Sequence, residues 1–133
     1  MIKSFQSIQQ DIPILVVDDF STMRRIMINC LNELGFNNIS EADDGLSAIA
    51  QLKQKEFKLI ISDWKMPNMM GIDLLKTIRA DELYKSVPFV MVTAEGLAEN
   101  MAEAISAGAS DYVIKPLNSG ILGSKIEAAL GVK

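Results

Sequence analysis

The chain has 133 residues, a mass of 14.6 kDa and a formal net charge of −4, and 49% of its residues are hydrophobic. This length suits one domain, which we expect to cover residues 1–133 with 1–11 as an N-terminal extension. The chain contains no histidine and a single cysteine, Cys30, which excludes a Ser-His-Asp triad, His-ligated zinc and an internal disulfide. Its acidic balance disfavours nucleic-acid binding, and its apolar runs are too short to span a membrane, so we expect a domain in the cytoplasm. We also expect it to act as a monomer.

Short apolar runs alternate with longer amphipathic segments along the chain. Strands are predicted at 12–17, 38–41, 57–62, 87–92 and 112–114, and apolar residues at helical spacing predict helices near 23–34, 46–50, 72–78, 97–105 and 122–130. Strands that alternate with helices form parallel sheets, and five such units are too few for an eightfold barrel. The expected fold is therefore an α/β, doubly wound, flavodoxin-like (βα)5 arrangement around a five-stranded parallel sheet with strand order 2-1-3-4-5.

Polar residues follow the predicted strands at the edge of the sheet where such folds bind ligands. Asp18 and Asp19 follow the first strand, Asp63 the third, Thr93 the fourth and Lys115 the fifth. Each aspartate and the threonine, taken singly, is more typical of a helix N-cap than of a reactive group, whereas a lysine between an apolar strand and a proline is hard to explain as structure. The first and third strands are neighbours in the expected order, however, so their carboxylates should converge beside the lysine.

A second acidic pair has a different interpretation. Asp43 and Asp44 follow the second predicted strand and look in sequence like the pair after the first. The second strand lies at the edge of the expected sheet, away from the point where the strand order reverses. We therefore expect Asp43 and Asp44 to cap the following helix and to lie outside the site.

Three carboxylates at close range indicate a bound cation. Asp18, Asp19 and Asp63 would repel one another, whereas Mg²⁺ accepts carboxylate oxygens, keeps several waters and takes a phosphate oxygen as a further ligand. Asp63 can then be a nucleophile toward phosphorus, with Lys115 neutralising the charge of the transferred group and Thr93 donating a hydrogen bond to it. The pattern predicts a phosphoryl-acceptor site built without histidine.

The sequence resembles the receiver domains of response regulators and, within that family, the stand-alone chemotaxis regulators. The segments VVDDFSTMRRI, ISDWKMPNM, MVTAE and AGASDYVIKP carry the resemblance, which extends from the first strand through Pro116. It implies a Mg²⁺ site, a phosphorylated aspartate and a conformational switch. The residues so implied are Asp18, Asp19, Asp63 and the backbone carbonyl of Lys65 for the metal, Asp63, Thr93 and Lys115 for phosphoryl transfer, and Tyr112 with the small Ala94 for the switch.

The resemblance also implies partners and chemistry. A histidine kinase of the CheA type would donate its phosphoryl group to Asp63, and phosphorylation would shift the population between two existing conformations. The signal would pass by protein binding, with the flagellar motor switch and a phosphatase as candidate partners. The implied chemistry is Mg²⁺-dependent self-phosphorylation and autodephosphorylation of a switch protein, not turnover of an external substrate.

Several residues depart from the chemotaxis regulators. Lys65 stands where asparagine is usual and is expected to pair with Glu95, and Met70 stands where an aspartate often precedes the glycine. On the surface implied for output, charged residues are replaced by Leu97, Ala98, Gly123, Ser124 and Ala128, which leaves Lys125 as the main basic residue. Trp64 is expected to be partly exposed, and Arg24 and Arg25 to belong to a solvated helix face.

Three alternatives to the ordinary chemotaxis role remain. The chain could be a phosphate sink, or a regulator of a non-flagellar partner that binds the altered output surface. It could also be a phosphohydrolase of the haloacid dehalogenase type, which uses an aspartyl nucleophile. That family needs an aspartate two residues after the nucleophile, where this chain has Lys65, so the enzyme interpretation is strongly disfavoured.

Overall fold

Five strands and five helices alternate along residues 11–66, 68–93, 98–115 and 117–131, which the computed structural model describes. The strands are β1 (Ile14–Val17), β2 (Ile39–Ala42), β3 (Leu59–Asp63), β4 (Phe89–Thr93) and β5 (Asp111–Ile114). The helices are α1 (Ser21–Glu33), α2 (Gly45–Leu52), α3 (Gly71–Ala80), α4 (Ala98–Ser106) and α5 (Ser119–Leu130). Every predicted element is present, with ends shifted by a few residues.

The strands form one parallel sheet with the order β2-β1-β3-β4-β5, which confirms the predicted topology. Ile14 at the start of β1 is in register with Leu59 of β3, and Asp63 at the end of β3 is in register with Val92 of β4. The strands therefore end near the same level, and the residues that follow them share one edge of the sheet. None of the described helices has the length and apolar character that a membrane crossing needs.

Alternate residues of each strand enter one of two hydrophobic clusters, one on each face of the sheet. Leu15 and Ile60 pack in the cluster under α2, α3 and α4, whereas Val16 and Ile61 pack in the cluster under α1 and α5. The central strands are buried on both faces, which explains why they appear in the sequence as continuous apolar runs. Cys30 of α1 is buried in the second cluster as a free thiol.

The start of α3 lies directly against the end of β3. A Cβ atom at Gly71 would lie 2.1 Å from the carbonyl oxygen of Asp63, and the Gly71 amide donates a hydrogen bond to the carbonyl of Trp64 at 2.8 Å. Only glycine permits this approach, because any side chain would overlap the backbone of β3. The close contact ties the position of Asp63 to the packing of α3.

Trp64 is buried, so the expectation of a partly exposed loop aromatic was wrong. Its side chain is 8% exposed and packs in the cluster under α2, α3 and α4, while its amide donates to the carbonyl of Val92 at 2.9 Å. The hydrogen bond from the Gly71 amide to the Trp64 carbonyl holds Trp64 close to the start of α3. Because Trp64 directly follows Asp63 in the chain, its fluorescence can report changes at that end of the sheet.

We expect Gly71→Ala to destabilise the protein by at least about 2 kcal/mol, because the added methyl group forces α3 away from the end of β3. Gly120→Ala is the matched control, since an added Cβ there meets only Asn118 Oδ1 at 3.4 Å. That helical substitution should raise stability by up to about 1 kcal/mol. Urea unfolding followed by Trp64 fluorescence measures both changes, and equal effects of the two substitutions would contradict the close-contact argument.

Candidate magnesium and phosphoryl-acceptor site

The carboxylates of Asp18, Asp19 and Asp63 lie together at the carboxyl edge of the sheet. Each offers an oxygen, and these oxygens lie within 4.8 Å of one another. Asp18 and Asp63 are buried, and Asp19 is partly exposed. The convergence expected from the strand order is present because β1 and β3 are adjacent and end at the same level.

Lys115 brings a positive charge to this cluster from the end of β5. Its Nζ lies 3.1 Å from Asp63 Oδ1 and 3.8 Å from Asp18 Oδ2. Its backbone amide donates to the carbonyl of Thr93 at 2.7 Å, which holds the ends of β4 and β5 together. The ammonium group is thus directed at two buried carboxylates, as the pattern of residues after the strands predicted.

Burial dominates the electrostatics of the cluster. It raises the pKa of Asp18 to about 6, although the Phe20 amide, which donates to Oδ1 at 2.9 Å, partly opposes that shift. Burial likewise raises the pKa of Asp63, against the opposing hydrogen bond and charge of Lys115. One ammonium group therefore does not compensate the loss of water around these carboxylates.

The donor set fits a hard divalent cation. Asp18 Oδ2 is fully buried and accepts no hydrogen bond from any residue that the structure describes. A buried carboxylate oxygen without a donor is costly unless a cation satisfies it, and Mg²⁺ binds carboxylate oxygens in this way. Asp18, Asp19 and Asp63 therefore fit the ion that the sequence implied, and the backbone carbonyl of Lys65 remains a predicted ligand.

Two of the residues assigned to the switch, Thr93 and Tyr112, are buried. Thr93 at the end of β4 is buried, and the ring of Tyr112 packs in the hydrophobic cluster under α2, α3 and α4. Four residues named in the sequence analysis fall outside the described residues: Ala94, Glu95, Leu97 and Pro116. The space assigned to Ala94, the Lys65–Glu95 pair and the place of Leu97 on the output surface therefore stay predictions.

Of the acidic pair after β2, Asp44 caps the helix as expected, whereas Asp43 precedes the cap and accepts a hydrogen bond from the Ser47 hydroxyl at 3.0 Å. Asp44 is the N-cap of α2, where its side chain accepts a hydrogen bond from the Ser47 amide at 2.8 Å in a capping box. Its second oxygen accepts a hydrogen bond from Asn68 Nδ2 at 2.8 Å. These bonds lower the pKa of Asp44, which stands in contrast to the raised pKa of Asp18.

Sequence reasoning missed the role of Arg24. The side chain was expected on a solvated helix face, but it is only 17% exposed and binds both the Asp18 carbonyl and the Glu41 carboxylate. Arg25, the next residue, is exposed as expected. No sequence signal separates the two arginines, because the distinction depends on how α1 turns relative to β1 and β2.

The family of the chain follows from a match to the response regulator receiver domain over residues 14–127. The chain belongs to the receiver-domain family. It is 51% identical over 120 residues to the chemotaxis protein CheY-3 of Vibrio cholerae, covering 90% of this chain and 92% of that one. It is also 52% identical over 114 residues to the chemotaxis protein CheY of Pseudomonas aeruginosa, covering 86% of this chain and 92% of that one.

A solved structure shares the fold. A chain in the CheX-CheY-BeF3-Mg²⁺ complex from Borrelia burgdorferi is 27% identical, with a TM-score of 0.83, and the match covers 92% of this chain and 90% of that chain. Taken with the two curated relatives, this similarity makes the protein a receiver domain of the CheY type of chemotaxis response regulator.

The raised pKa of Asp18 predicts an unusual pH dependence of stability in metal-free protein. The unfolded chain releases the Asp18 proton near pH 3.8, whereas the folded protein releases it near pH 6. Between these values the folded state binds more protons, so the contribution of Asp18 to the free energy of unfolding falls as pH rises. We expect this loss to total roughly 2–3 kcal/mol by neutral pH.

The comparison with Asp18→Asn isolates this contribution. In chelator, the variant should be more stable than the wild type at pH 7, and the difference should vanish near pH 4. Asp43→Asn is the control, because it removes an exposed carboxylate that lies outside the cluster. Urea unfolding at several pH values measures the differences, and a pH-independent difference for Asp18→Asn would contradict the assignment.

Proposed function

We propose that this chain is a cytoplasmic phosphorylation switch in which Asp63 accepts a phosphoryl group from a histidine kinase of the CheA type. The observation that carries this proposal is the buried Asp63 carboxylate, 3.1 Å from Lys115 Nζ and within 4.8 Å of carboxylate oxygens of Asp18 and Asp19. Residues 1–133 act as one receiver domain, with 1–11 as an extension, and the protein works as a monomer.

Phosphoryl transfer requires charge to be neutralised around Asp63. A carboxylate oxygen of Asp63 attacks phosphorus, the bond from phosphorus to the kinase histidine breaks, and an acyl phosphate forms. Asp18, Asp19, Asp63 and the Lys65 carbonyl would hold Mg²⁺, which would supply positive charge for the phosphoryl oxygens. Lys115 offers its ammonium group to the same oxygens, since the product carries about −1.5 to −2 charges. The same metal-assisted site supports self-phosphorylation from small donors and later hydrolysis of the acyl phosphate.

Thr93 and Tyr112 connect this chemistry to the surface. The Thr93 hydroxyl donates to the phosphoryl group and moves toward it, which frees space for the Tyr112 ring beside small Ala94. Tyr112 is buried in this structure, so the interior can hold the residue in the position that the switch requires. Phosphorylation then shifts the population between two existing arrangements of the face formed by α4, β5 and α5.

The output face, formed by exposed residues of α4, β5 and α5, is mainly apolar. Met101 and Ile105 are exposed one turn apart on α4. Glu103 lies on the opposite side of that helix, where its Oε2 is 3.8 Å from Lys76 Nζ of α3. Helix geometry therefore directs the two apolar side chains toward β5. Ile114 is exposed at the end of β5 and continues the apolar surface.

The remaining basic residue on the output face is neutralised. Lys125 Nζ lies 3.2 Å from Asp111 Oδ1 of β5, and Ile121, one turn earlier on α5, is exposed on the same flank. Gly123 is buried, so its expected place on the output face was wrong, because the α5 stripe that includes Leu122 and Gly123 packs inward. An apolar face with few free cations supports a partner other than an acidic flagellar-switch segment.

Two further functions have less support. A phosphate sink would use the same Asp63 chemistry without an output partner, whereas the exposed apolar residues of the output face favour a binding role. A phosphohydrolase would need an acid where Lys65 stands.

A dedicated phosphatase stays a candidate partner. The CheX-CheY complex of the Borrelia burgdorferi relative supports a protein partner for this type of receiver.

Asp63 is expected to be the only residue that accepts a phosphoryl group. Incubation with a small acyl-phosphate donor and Mg²⁺ should add one group to the wild type and none to Asp63→Asn, as measured by intact mass. Asp43→Asn is the control and should be labelled like the wild type, because Asp43 lies outside the cluster. Stoichiometric labelling of Asp63→Asn would overturn the proposed acceptor.

Binding to the motor switch tests the output proposal. We expect protein activated with Mg²⁺ and beryllofluoride to bind an acidic flagellar-switch peptide weakly or not at all, because the output face lacks free lysines. The double variant Leu97→Lys/Ala98→Lys should tighten binding by roughly tenfold, since complementary charges raise the rate of encounter. Fluorescence anisotropy of a labelled peptide measures both. Tight, activation-dependent binding by the wild type would restore the ordinary chemotaxis role.

A further inference from the structure

Arg24 makes two directed contacts that leave it largely covered. Its Nη1 donates to the carbonyl oxygen of Asp18 at 2.7 Å, and its Nε donates to Glu41 Oε1 at 2.8 Å. The guanidinium lies on α1, while its two acceptors belong to the loop after β1 and to β2. One side chain therefore holds together three elements that meet at the edge of the acidic cluster.

These bonds belong to a closed cycle. The Asp18 amide donates to the carbonyl of Ala42 at 3.1 Å, and Ala42 follows Glu41 directly in β2. Arg24 completes the cycle from Glu41 back to the Asp18 carbonyl. Both backbone groups of Asp18 are thus fixed, and its side chain is fixed by the Phe20 amide on Oδ1.

The peptide unit that Arg24 holds also connects Asp18 to Asp19. The Asp18 carbonyl carbon is bonded to the Asp19 nitrogen, so rotation of this peptide would move both carboxylates relative to Asp63. A metal site depends on such supporting hydrogen bonds, because they hold the ligands in the geometry the ion requires. A planar guanidinium suits the task, since its donors keep a fixed mutual orientation that a lysine ammonium lacks.

We propose that Arg24 is a positioning residue that prepares Asp18 and Asp19 for Mg²⁺, an inference that rests on the proposed function of the site. The positive charge of Arg24 opposes this role electrostatically, because a cation near the cluster repels Mg²⁺. Loss of the charge alone would therefore strengthen Mg²⁺ binding, whereas loss of the hydrogen bonds would weaken it. The sign of the change in affinity separates the two effects.

The experiment titrates Mg²⁺ into chelator-treated full-length protein and follows Trp64 fluorescence. Arg24→Gln should bind Mg²⁺ at least roughly tenfold more weakly than the wild type. Arg24→Lys keeps the charge and should also bind weakly, because one ammonium group does not reproduce both directed bonds. Arg25→Gln is the matched control: it removes the exposed neighbouring charge from the same helix and should leave affinity unchanged or slightly tighter.

A second variant keeps the test decisive if Arg24→Gln does not fold. Glu41→Ala leaves Arg24 with one anchor and should weaken Mg²⁺ binding by several-fold, whereas Asp43→Asn, which removes a nearby exposed charge, should not. At saturating Mg²⁺, each variant that binds Mg²⁺ more weakly should be phosphorylated by a small donor at close to the wild-type rate. This result would separate a loss of Mg²⁺ affinity from damage to Asp63.

The outcomes distinguish the two claims. If the wild type and Arg25→Gln bind Mg²⁺ and Arg24→Gln binds as tightly or more tightly, the positioning role is overturned and the proposed function stands. If the wild type itself shows no response to Mg²⁺ by fluorescence or calorimetry, both claims are overturned. Weaker binding by Arg24→Gln and Glu41→Ala, with both controls unchanged, supports the positioning role.

Discussion

The structure depends on one electrostatic constraint: three carboxylates are gathered where water is largely excluded. Asp18 and Asp63 are buried, their pKa values are raised, and one oxygen of Asp18 has no hydrogen-bond donor among the described residues. Lys115 compensates only part of this charge. The arrangement is unfavourable for the isolated fold and suits a site that binds a cation, because the cation relieves the excess of negative charge and can then offer positive charge to an anionic group.

The rest of the fold keeps these charges in place. The parallel order places β3 between β1 and β4, so residues after three neighbouring strands face one another without any long loop. Gly71 lets α3 approach the end of β3, and Arg24 ties the loop after β1 to β2. These contacts come from backbone geometry and directed hydrogen bonds, which hold a polar site more precisely than apolar packing alone.

The phosphoryl-acceptor site and the output face respond to different physical demands. At the site, the ammonium group of Lys115 lies 3.1 Å from Asp63 Oδ1 and 3.8 Å from Asp18 Oδ2, so charge constrains these positions. On the output face, exposed apolar side chains such as Ile105 and Ile114 have no such partners to satisfy, and Lys125 is paired with Asp111. The proposed change of partner concerns that face and leaves the residues of the acidic cluster unchanged.

The sequence alone determined the fold class, the strand order and most of the site, because apolar periodicity and the residues after each strand are local features. Asp18, Asp19, Asp63 and Lys115 could be predicted to converge because parallel strands end at one edge. Only the tertiary structure decided that Trp64 is buried, that Gly123 faces inward and that Arg24 differs from Arg25. The physical reason is that burial and hydrogen-bond partners depend on how the helices pack against the sheet. That packing cannot be predicted from the residues next to each position in the sequence.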